Sequence, residues 1–307
     1  MQGTVMRSTG SWYEVLGENR KIVNCRLRGK FKIQGMKVTN PIAVGDWVDF
    51  EIESEIENTG LINSIVDREN YIIRKSVHKT AHGHIIAANL DQAILIATLA
   101  FPRTSLGFID RFLVTSESFR IPTKIVFNKM DILNEEGKEV VEELKSIYEC
   151  LNYPCIFTSV EDGTGLEELK ATLKGKKTLL SGHSGVGKSS LINKIAPHLK
   201  LRTSEVSSFA NKGVHTTTFA EMFEIEEGTF IIDTPGIKEL GLMDIEKEEI
   251  YHFFPEMRAL FGKCKFHNCL HINEPKCSVL EAVKKGEIAE SRYMSYLSMM
   301  EDYDNRR

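Results

Sequence analysis

The stretch that decides the fold is GHSGVGKSSL, Gly182 to Leu191, which follows the apolar run KKTLL and precedes a stretch of helical character. It matches the pattern G-x-x-x-x-G-K-[ST], in which backbone N–H groups of a glycine-rich loop wrap phosphate oxygens and the next helix adds its positive end. Lys188 is predicted to reach the outer phosphates, and Ser189 to ligate Mg²⁺. The alternative is an ordinary glycine-rich turn. The residues predicted to line this site are Gly182, His183, Ser184, Gly185, Val186, Gly187, Lys188, Ser189 and Ser190.

Composition places the chain among soluble globular proteins. It has 307 residues, of which 42% are hydrophobic and 27% charged, and this length suits two or three domains. The net charge of −4 gives no global signal for a polyanion partner, so any nucleic-acid surface must be local. No apolar run approaches the roughly 20 residues that span a bilayer, and the N-terminus lacks the apolar core of a signal peptide. We expect a cytoplasmic protein without a membrane partner.

The first 71 residues contain five short alternating runs separated by turn residues. This pattern indicates a small barrel or sandwich, and we favour a barrel of the oligonucleotide-binding (OB) type. The runs are GTVMRS, SWYEVL, KIVNCRLRG, GDWVDFEIE and GLINSIV.

Charge is divided unevenly within this segment. Residues 20–37 carry seven basic residues and no acid, whereas residues 46–57 carry six acids and no base. One interpretation is a solvated face on each of two hairpins. The other is a basic strip that follows a nucleic-acid backbone, with Trp12, Tyr13 or Phe31 available for base stacking.

From about residue 72, apolar runs alternate with helical stretches such as NEEGKEVVEELKSIYECL. Buried runs in this arrangement indicate a largely parallel sheet covered by helices. A polar motif follows each run, and ligands bind beyond the carboxyl ends of parallel strands. We therefore expect the motifs to converge on one site.

Three further motifs specify what this site binds. DTPG, residues 233–236, places Asp233 where it can hold the Mg²⁺ shell and Gly236 where its N–H can sense a γ-phosphate. NKMD, residues 128–131, follows the run TKIVF, and the carboxylate of Asp131 can accept both donors on the edge of guanine, whereas adenine offers an acceptor there. TSV, residues 158–160, ends the next strand and offers a backbone N–H to the guanine carbonyl. The residues predicted at the base site are Asn128, Lys129, Met130, Asp131, Thr158 and Ser159.

The base motif precedes the phosphate motif along the chain. The site depends on which strand ends meet in space, and these can meet even when the chain begins and ends at a different point of the fold. The order of the motifs therefore indicates a circularly permuted GTPase. With its full set of motifs, the chain resembles the family of ribosome small subunit-dependent GTPase A (RsgA). The resemblance implies a multi-domain α/β protein with an OB-type barrel (residues 1–72), a permuted P-loop GTPase domain (73–240) and a helical zinc-binding domain (241–307).

The resemblance also implies a function. Members of this family hydrolyse GTP to GDP and phosphate, slowly alone and faster on the small ribosomal subunit, during late maturation of that subunit and in contact with its rRNA. The expected ligands are GTP, GDP, Mg²⁺ and one structural Zn²⁺, and we expect a monomer.

The segment GVHTTT, residues 213–218, is similar to the family's switch segment GRHTTT. The resemblance implies that Thr216 or Thr217 completes the Mg²⁺ site when GTP is bound, and that His215 assists hydrolysis together with Lys188 and Gly236. Val214 stands where the family has Arg, so no arginine contact is expected at that position.

The sequence CKFHNCLHINEPKC, residues 264–277, contains three cysteines and two histidines. Cys264, Cys269, His271 and Cys277 are predicted to close a tetrahedral Zn²⁺ shell without an open position for chemistry. On spacing alone, His267 is a rival ligand, and the resemblance favours His271. The alternative is a set of reduced, unligated cysteines.

Two other functional classes compete with a GTPase. One is a non-catalytic RNA-binding protein in which the nucleotide only stabilises the fold, and the other is an ATP-dependent P-loop enzyme. The NKMD motif argues against the ATP-dependent enzyme. Turnover measurements distinguish a GTPase from the non-catalytic RNA-binding protein.

The predicted role of Asp131 leads to a test of base choice. In Asp131→Asn, we expect GTP binding to weaken by roughly two orders of magnitude and xanthosine triphosphate binding to improve, because an amide suits the altered ring edge of xanthine. Competition binding against a fluorescent nucleotide measures both affinities. An unchanged preference for GTP would remove Asp131 from the base site.

Overall fold

A closed five-strand barrel forms the N-terminal part of the computed structural model, which describes residues 1–28, 40–75, 83–201, 220–233 and 245–304. The strands of the barrel are β1 (Gln2–Ser8), β2 (Tyr13–Gly17), β3 (Ile22–Leu27), β4 (Trp47–Ser54) and β5 (Thr59–Ile65). Strand β1 pairs with both β2 and β4, β2 pairs with β3, β3 runs parallel to β5, and β5 pairs with β4. The ring closes without a free edge, which confirms the predicted OB-type barrel.

The two charge runs of the barrel are in contact with each other. Arg26 lies 2.6 Å from Glu53, and Arg28 lies 3.4 Å from Glu51, in both cases from guanidinium nitrogen to carboxylate oxygen. These pairs are largely exposed, and each contributes little to stability. For Arg26 and Arg28, a solvated face explains the basic side chains without a nucleic-acid ligand. The second half of the basic run, including Phe31, lies outside the described residues.

The prediction that Tyr13 is available for base stacking is wrong. Its side chain is only 3% exposed and packs in the barrel core with Val5, Val15 and Phe50. The reason is the period of two along β2, which turns Tyr13 inward together with Val15. Trp12, directly before this strand, is 41% exposed.

A hairpin joins the barrel to the rest of the chain. It consists of β6 (Tyr71–Lys75) and β7 (Gly83–Ala88), which pair in antiparallel fashion. The segment before β4 runs alongside it, since Val44 forms a parallel bridge with Ala87. At this point the two backbones approach so closely that a Cβ atom on Gly45 would lie 2.1 Å from the carbonyl oxygen of Ala88.

The central sheet has the parallel character expected from the apolar runs. Its strands are β8 (Gln92–Ala97), β9 (Thr123–Phe127), β10 (Cys155–Phe157), β11 (Lys177–Ser181), β12 (Glu221–Glu226) and β13 (Thr229–Asp233). The spatial order is β10-β9-β8-β11-β13-β12, and all neighbours are parallel except β12, which is antiparallel to β13. Strand β12 also bridges to β1 of the barrel, where Glu221 faces Arg7.

Helices cover both faces of this sheet. Alternate residues of β8 face opposite sides: Leu95 packs in one core with Phe112, and Ile96 packs in another core with Leu191. A strand buried on both faces reads as a continuous apolar run, which explains the sequence AILIA. The helices are α1 (Leu106–Ser118) and α2 (Glu135–Cys150) on the first face, and α3 (Leu166–Leu173) and α4 (Lys188–Ile195) on the second.

The C-terminal part of the described chain is helical. After a 3₁₀ stretch at Lys247–Phe253 come α5 (Pro255–Arg258), α6 (Ser278–Lys284) and α7 (Glu290–Asp304). These elements bury their own apolar cluster, and Val114 of α1 belongs to the same cluster. The C-terminal helices therefore share part of their core with the central sheet's helical layer.

The close approach at Gly45 predicts a large effect of one added methyl group. Gly45 and Gly10 have nearly equal positive φ angles of 89° and 90°, but a Cβ atom on Gly10 would meet nothing within 4 Å. We expect Gly45→Ala to destabilise the barrel by about 2 kcal/mol or more, and Gly10→Ala by about 1 kcal/mol. Urea unfolding followed by tryptophan fluorescence measures this, because both tryptophans, Trp12 and Trp47, lie in the barrel. Equal midpoints for the two variants would contradict the steric argument.

Candidate active site and metal centre

The loop between β11 and α4 has the geometry that its glycines predict. Gly182 and Gly187 have φ angles of 144° and 97°, which other residues rarely adopt. A Cβ atom on Gly182 would lie 2.3 Å from the carbonyl oxygen of Ile96, and one on Gly187 would lie 2.4 Å from the side-chain nitrogen of Asn128. Both glycines thus allow the loop to pack directly against its neighbours.

Lys188 is held by the loop that it follows. Its ammonium group donates to the carbonyl oxygens of Gly182 at 2.7 Å and His183 at 2.9 Å. An ammonium group has three donors, so one N–H is left for a phosphate oxygen. Burial lowers the pKa of Lys188, and the negative charge of Asp233 acts in the opposite direction. Asp233 is the last residue of β13 and lies beside Leu180 in the sheet register.

Asn128 joins three loops that follow three different strands. It lies at the end of β9, and its side-chain amide donates to the carbonyl oxygen of Val186 at 2.8 Å. Its side-chain oxygen accepts a hydrogen bond of 2.9 Å from the hydroxyl of Thr158, beyond the end of β10. Asn128 is 3% exposed and Thr158 is fully buried. The motifs NKMD, TSV and the glycine-rich loop are therefore adjacent, as their places in the sequence predicted.

Asp131 is oriented by Ser159. The hydroxyl of Ser159 donates to one carboxylate oxygen of Asp131 at 2.7 Å, while Ser159 itself is fully buried. A carboxylate offers about four acceptor positions, so this bond leaves enough capacity for two donors of a base. Met130 connects the two loops a second time, because its backbone N–H donates to the carbonyl oxygen of Thr158 at 3.1 Å.

The backbone at residues 158–160 limits which N–H group is available for a ligand. Thr158 N–H donates to Phe127, and Ser159 N–H donates to Thr164, in both cases to the carbonyl oxygen. These two donors are occupied within the protein. Of the three residues of TSV, Val160 is therefore the one whose backbone N–H we expect to reach the guanine carbonyl.

Two contacts of this site had no signal in the sequence. The ring of Phe108, in α1, stacks on the imidazole of His183 with 3.8 Å between ring centroids. Lys129, which has a left-handed backbone, donates from its ammonium group to the carbonyl oxygen of Phe101 at 2.5 Å. Both partners lie in the segment after β8, which carries no motif.

Some of the remaining predicted site residues lie in the described part of the chain, and the others lie outside it. Ser184 is exposed, Gly185 has a φ angle of 84°, and Ser189 and Ser190 are half-buried in the first turn of α4. The others lie in segments 202–219 and 234–244, outside the described residues, so their predicted roles remain predictions. They are His215, Thr216, Thr217 and Gly236.

The predicted metal ligands lie together in the C-terminal part. One ligand atom from each of Cys264, Cys269, His271 and Cys277 lies within 4.8 Å of all the others. His271 Nδ1 is 3.3 Å from the sulfur of Cys277 and 3.6 Å from that of Cys264. His267 is exposed and lies outside this cluster, so the described residues favour His271.

The surroundings of the cluster suit thiolates. The backbone N–H groups of Ser278 and Leu280, in the first turn of α6, donate to the sulfurs of Cys264 at 3.3 Å and Cys277 at 3.5 Å. Such donors stabilise negative sulfur. Three sulfurs and one imidazole nitrogen complete a tetrahedral shell, which fits Zn²⁺ in a structural role and leaves no position for a substrate. Zn²⁺ bound here would cross-link two loops to α6.

Two family models together match most of the chain. The model for the RsgA N-terminal domain matches residues 2–62, and the model for the RsgA GTPase matches residues 65–243, more than half of the chain. The chain belongs to the RsgA GTPase family. As a member of this family it is a hydrolase that acts on GTP, with GTP, GDP and Mg²⁺ as the ligands that this activity implies.

Full-length relatives agree with this membership. The protein named small ribosomal subunit biogenesis GTPase RsgA from Cytophaga hutchinsonii is 54% identical over 307 residues and covers 100% of both chains. The corresponding RsgA 2 from Bacteroides thetaiotaomicron is 50% identical over 302 residues, which are 98% of this chain and 97% of the relative.

Two similar solved structures confirm the fold class. YjeQ from Thermotoga maritima is 39% identical, with a TM-score of 0.80 and coverage of 100% of this chain and 99% of the other. YloQ, described as a circularly permuted GTPase, is 30% identical, with a TM-score of 0.77 and coverage of 100% and 96%. The permuted order predicted from the motifs is thereby confirmed. In the part of the chain that the structure describes, no helix is long and apolar enough to cross a membrane.

The metal cluster leads to a paired prediction. We expect one Zn²⁺ per chain, lost in His271→Ala and retained in His267→Ala, because only His271 lies among the thiols. Elemental analysis of protein purified without chelators measures the metal. Loss of zinc should also lower the stability of the C-terminal helices, since binding energy at such a site is folding energy. Equal zinc content in the two variants would contradict the ligand assignment.

Proposed function

We propose that this chain is a GTPase of small ribosomal subunit maturation, slow alone and stimulated by that subunit. The observation that carries the proposal is the convergence of the base motif, the phosphate loop and Asp233 at one edge of the sheet. The full-length relatives named as small ribosomal subunit biogenesis GTPases support the choice of particle.

Asp131 reads the guanine base in this proposal. Its carboxylate accepts the two donors of guanine, while Ser159 fixes its orientation and Val160 offers an N–H to the carbonyl of the base. An adenine base would turn an acceptor toward the carboxylate, so both hydrogen bonds to the base would be lost and the two acceptors would repel each other. The site therefore prefers GTP to ATP.

Lys188 and Ser189 act on the phosphates. Lys188, positioned by two carbonyl oxygens, neutralises charge on the outer phosphates, and Ser189 ligates Mg²⁺ with Asp233 in support. For the segments outside the described residues we keep the roles that the family resemblance implies. Thr216 or Thr217 completes the Mg²⁺ site, the N–H of Gly236 senses the γ-phosphate, and His215 assists hydrolysis.

The C-terminal part carries an aromatic and basic surface that suits rRNA. Phe261 is 64% exposed and Phe266 is 40% exposed, and the ammonium group of Lys265 lies 5.1 Å from the centre of the Phe266 ring. Exposed rings beside cations favour stacking on unpaired bases. In the barrel, exposed Trp12 offers a second such surface.

The proposal also keeps the remaining expectations. The chain acts as a monomer in the cytoplasm, with a barrel at residues 1–72, a GTPase domain at 73–240 and a zinc domain at 241–307. One structural Zn²⁺ is bound by the Cys₃His cluster.

Turnover with purified ribosomal subunits tests the proposal. We expect slow GTP hydrolysis by the protein alone, stimulation of about tenfold or more by small subunits, and no stimulation by large subunits. ATP should be hydrolysed poorly in every mixture. Lys188→Ala is the matched control, because it removes the phosphate contact and should abolish turnover while leaving the fold intact.

Three outcomes would contradict the proposal. Equal stimulation by large subunits would remove the specificity for the small subunit. Equal turnover of ATP would overturn the base assignment. Subunit binding without any turnover would favour an RNA-binding protein whose nucleotide only stabilises the fold.

A further inference from the structure

A single segment contacts both nucleotide motifs. It comprises residues 98–118, from the end of β8 through α1. The backbone carbonyl of Phe101 accepts the hydrogen bond from Lys129 of the base motif, and the ring of Phe108 stacks on His183 of the phosphate loop. The carbonyl of His183 in turn holds the ammonium group of Lys188. Phe108 is thus two contacts away from the cation that the proposed function assigns to the phosphates.

The same segment is anchored in the C-terminal helices. Asp110 lies 2.6 Å from the guanidinium of Arg292 in α7, and Glu117 lies 3.0 Å from that of Arg258 at the end of α5. Between them, Val114 is fully buried in the apolar cluster of the C-terminal helices. One helix of 13 residues therefore carries the P-loop contact and the C-terminal anchor.

The ion pair at Asp110 fixes the relative position of the helices. Asp110 is fully buried and Arg292 is 1% exposed. Tyr148 of α2 donates to the same carboxylate oxygen at 3.0 Å, and Glu256 takes a second guanidinium nitrogen of Arg292 at 2.8 Å. Separating buried charges is costly, because each would lose its partner without gaining water. A shift of α7 along α1 therefore requires the whole network to break.

We infer that α1 makes nucleotide affinity depend on the docking of α7, with Phe108 as the residue that positions the phosphate loop. Docking of α7 through Arg292 fixes α1, and α1 holds the Phe108 ring against His183. By linkage, a nucleotide in the loop must then stabilise the docked position of α7 by the same factor. The inference rests on the proposed nucleotide site. The connection from the phosphate loop through α1 to α7 consists of described residues and does not include the segment after Asp233.

The alternative is that α1 is an ordinary core helix whose two contacts are independent. Spatial proximity alone does not distinguish these cases, and a double-mutant cycle does. Phe108→Leu removes the aromatic stack and keeps an apolar side chain of similar size. Asp110→Asn keeps the shape and the bond from Tyr148, and Arg292 retains Glu256 as its counter-ion.

The measurement is the affinity of the full chain for a fluorescent GDP analogue. We expect Phe108→Leu to weaken binding about three- to tenfold and Asp110→Asn about two- to fivefold. The double variant should bind GDP with the same affinity as Phe108→Leu, because the effect of Asp110 passes through Phe108. Phe108→Tyr, which keeps the stack, should bind like the parent.

Hydrogen exchange supplies a second readout that a purely structural role would not change. In the parent, GDP should slow amide exchange in α7, and this slowing should disappear in Phe108→Leu. Val279→Ala is the matched control, because it trims the same buried cluster from α6. It should raise exchange in α6 in the free protein and leave GDP affinity equal to that of the parent, because the contact of Asp110 with Arg292 in α7 stays intact.

Two results would overturn the inference. Additive effects of Phe108→Leu and Asp110→Asn on GDP affinity would show independent contacts, and an unchanged exchange of α7 on GDP binding would show that no linkage exists. Should Asp110→Asn fail to fold, Val114→Ala replaces it in the same cycle. A failure of the proposed nucleotide site looks different: the parent would then bind GDP no better than Lys188→Ala.

Discussion

The nucleotide site depends on the two hydrogen bonds of one buried side chain, Asn128. Its amide nitrogen binds the phosphate loop at Val186, and its amide oxygen binds Thr158 beyond the neighbouring strand. Because Asn128 follows β9 and the loops follow β11 and β10, these bonds form only when the strands lie in register. A carboxylate at this position has no donor for Val186, so only an amide satisfies both partners.

Glycine and lysine complete this arrangement for steric and electrostatic reasons. Gly187 has no Cβ atom, and this absence is what allows Asn128 to reach the loop. Lys188 donates hydrogen bonds to the carbonyl oxygens of Gly182 and His183, so a tight loop is formed before any phosphate arrives. A loop that is ordered in advance loses less conformational entropy when a ligand binds. The barrel joins the sheet at the edge formed by β12, which pairs with β1.

The C-terminal helices are stabilised by two different kinds of interaction. On one side, the ligand atoms of the Cys₃His cluster lie within 4.8 Å of one another, and a Zn²⁺ ion bound there would hold the two loops against α6. On the other side, Arg292 enters the protein between α1 and α2 and is neutralised there by Asp110 and Glu256. A buried ion pair adds little net stability compared with apolar packing, but separating its two charges is costly. The helices are thereby fixed to the GTPase part in a defined orientation.

The sequence by itself determined the fold class and the permuted order of the motifs, because these follow from local patterns: alternation in strands, buried apolar runs, and short motifs at strand ends. It also predicted that the base and phosphate motifs lie side by side, and Asn128 joins them in the structure. It also predicted a metal site within fourteen residues but left His267 and His271 undecided on spacing, and only the fold of the loop brings His271 among the three cysteines. Tyr13 could not be assigned to the core by composition, since the direction of a strand's first residue depends on how the barrel closes. The stack of Phe108 on His183 and the pair of Asp110 with Arg292 join residues 75 and 182 positions apart. Such contacts carry no local signature, because they arise only when separate elements pack, and they were decided by the tertiary structure alone.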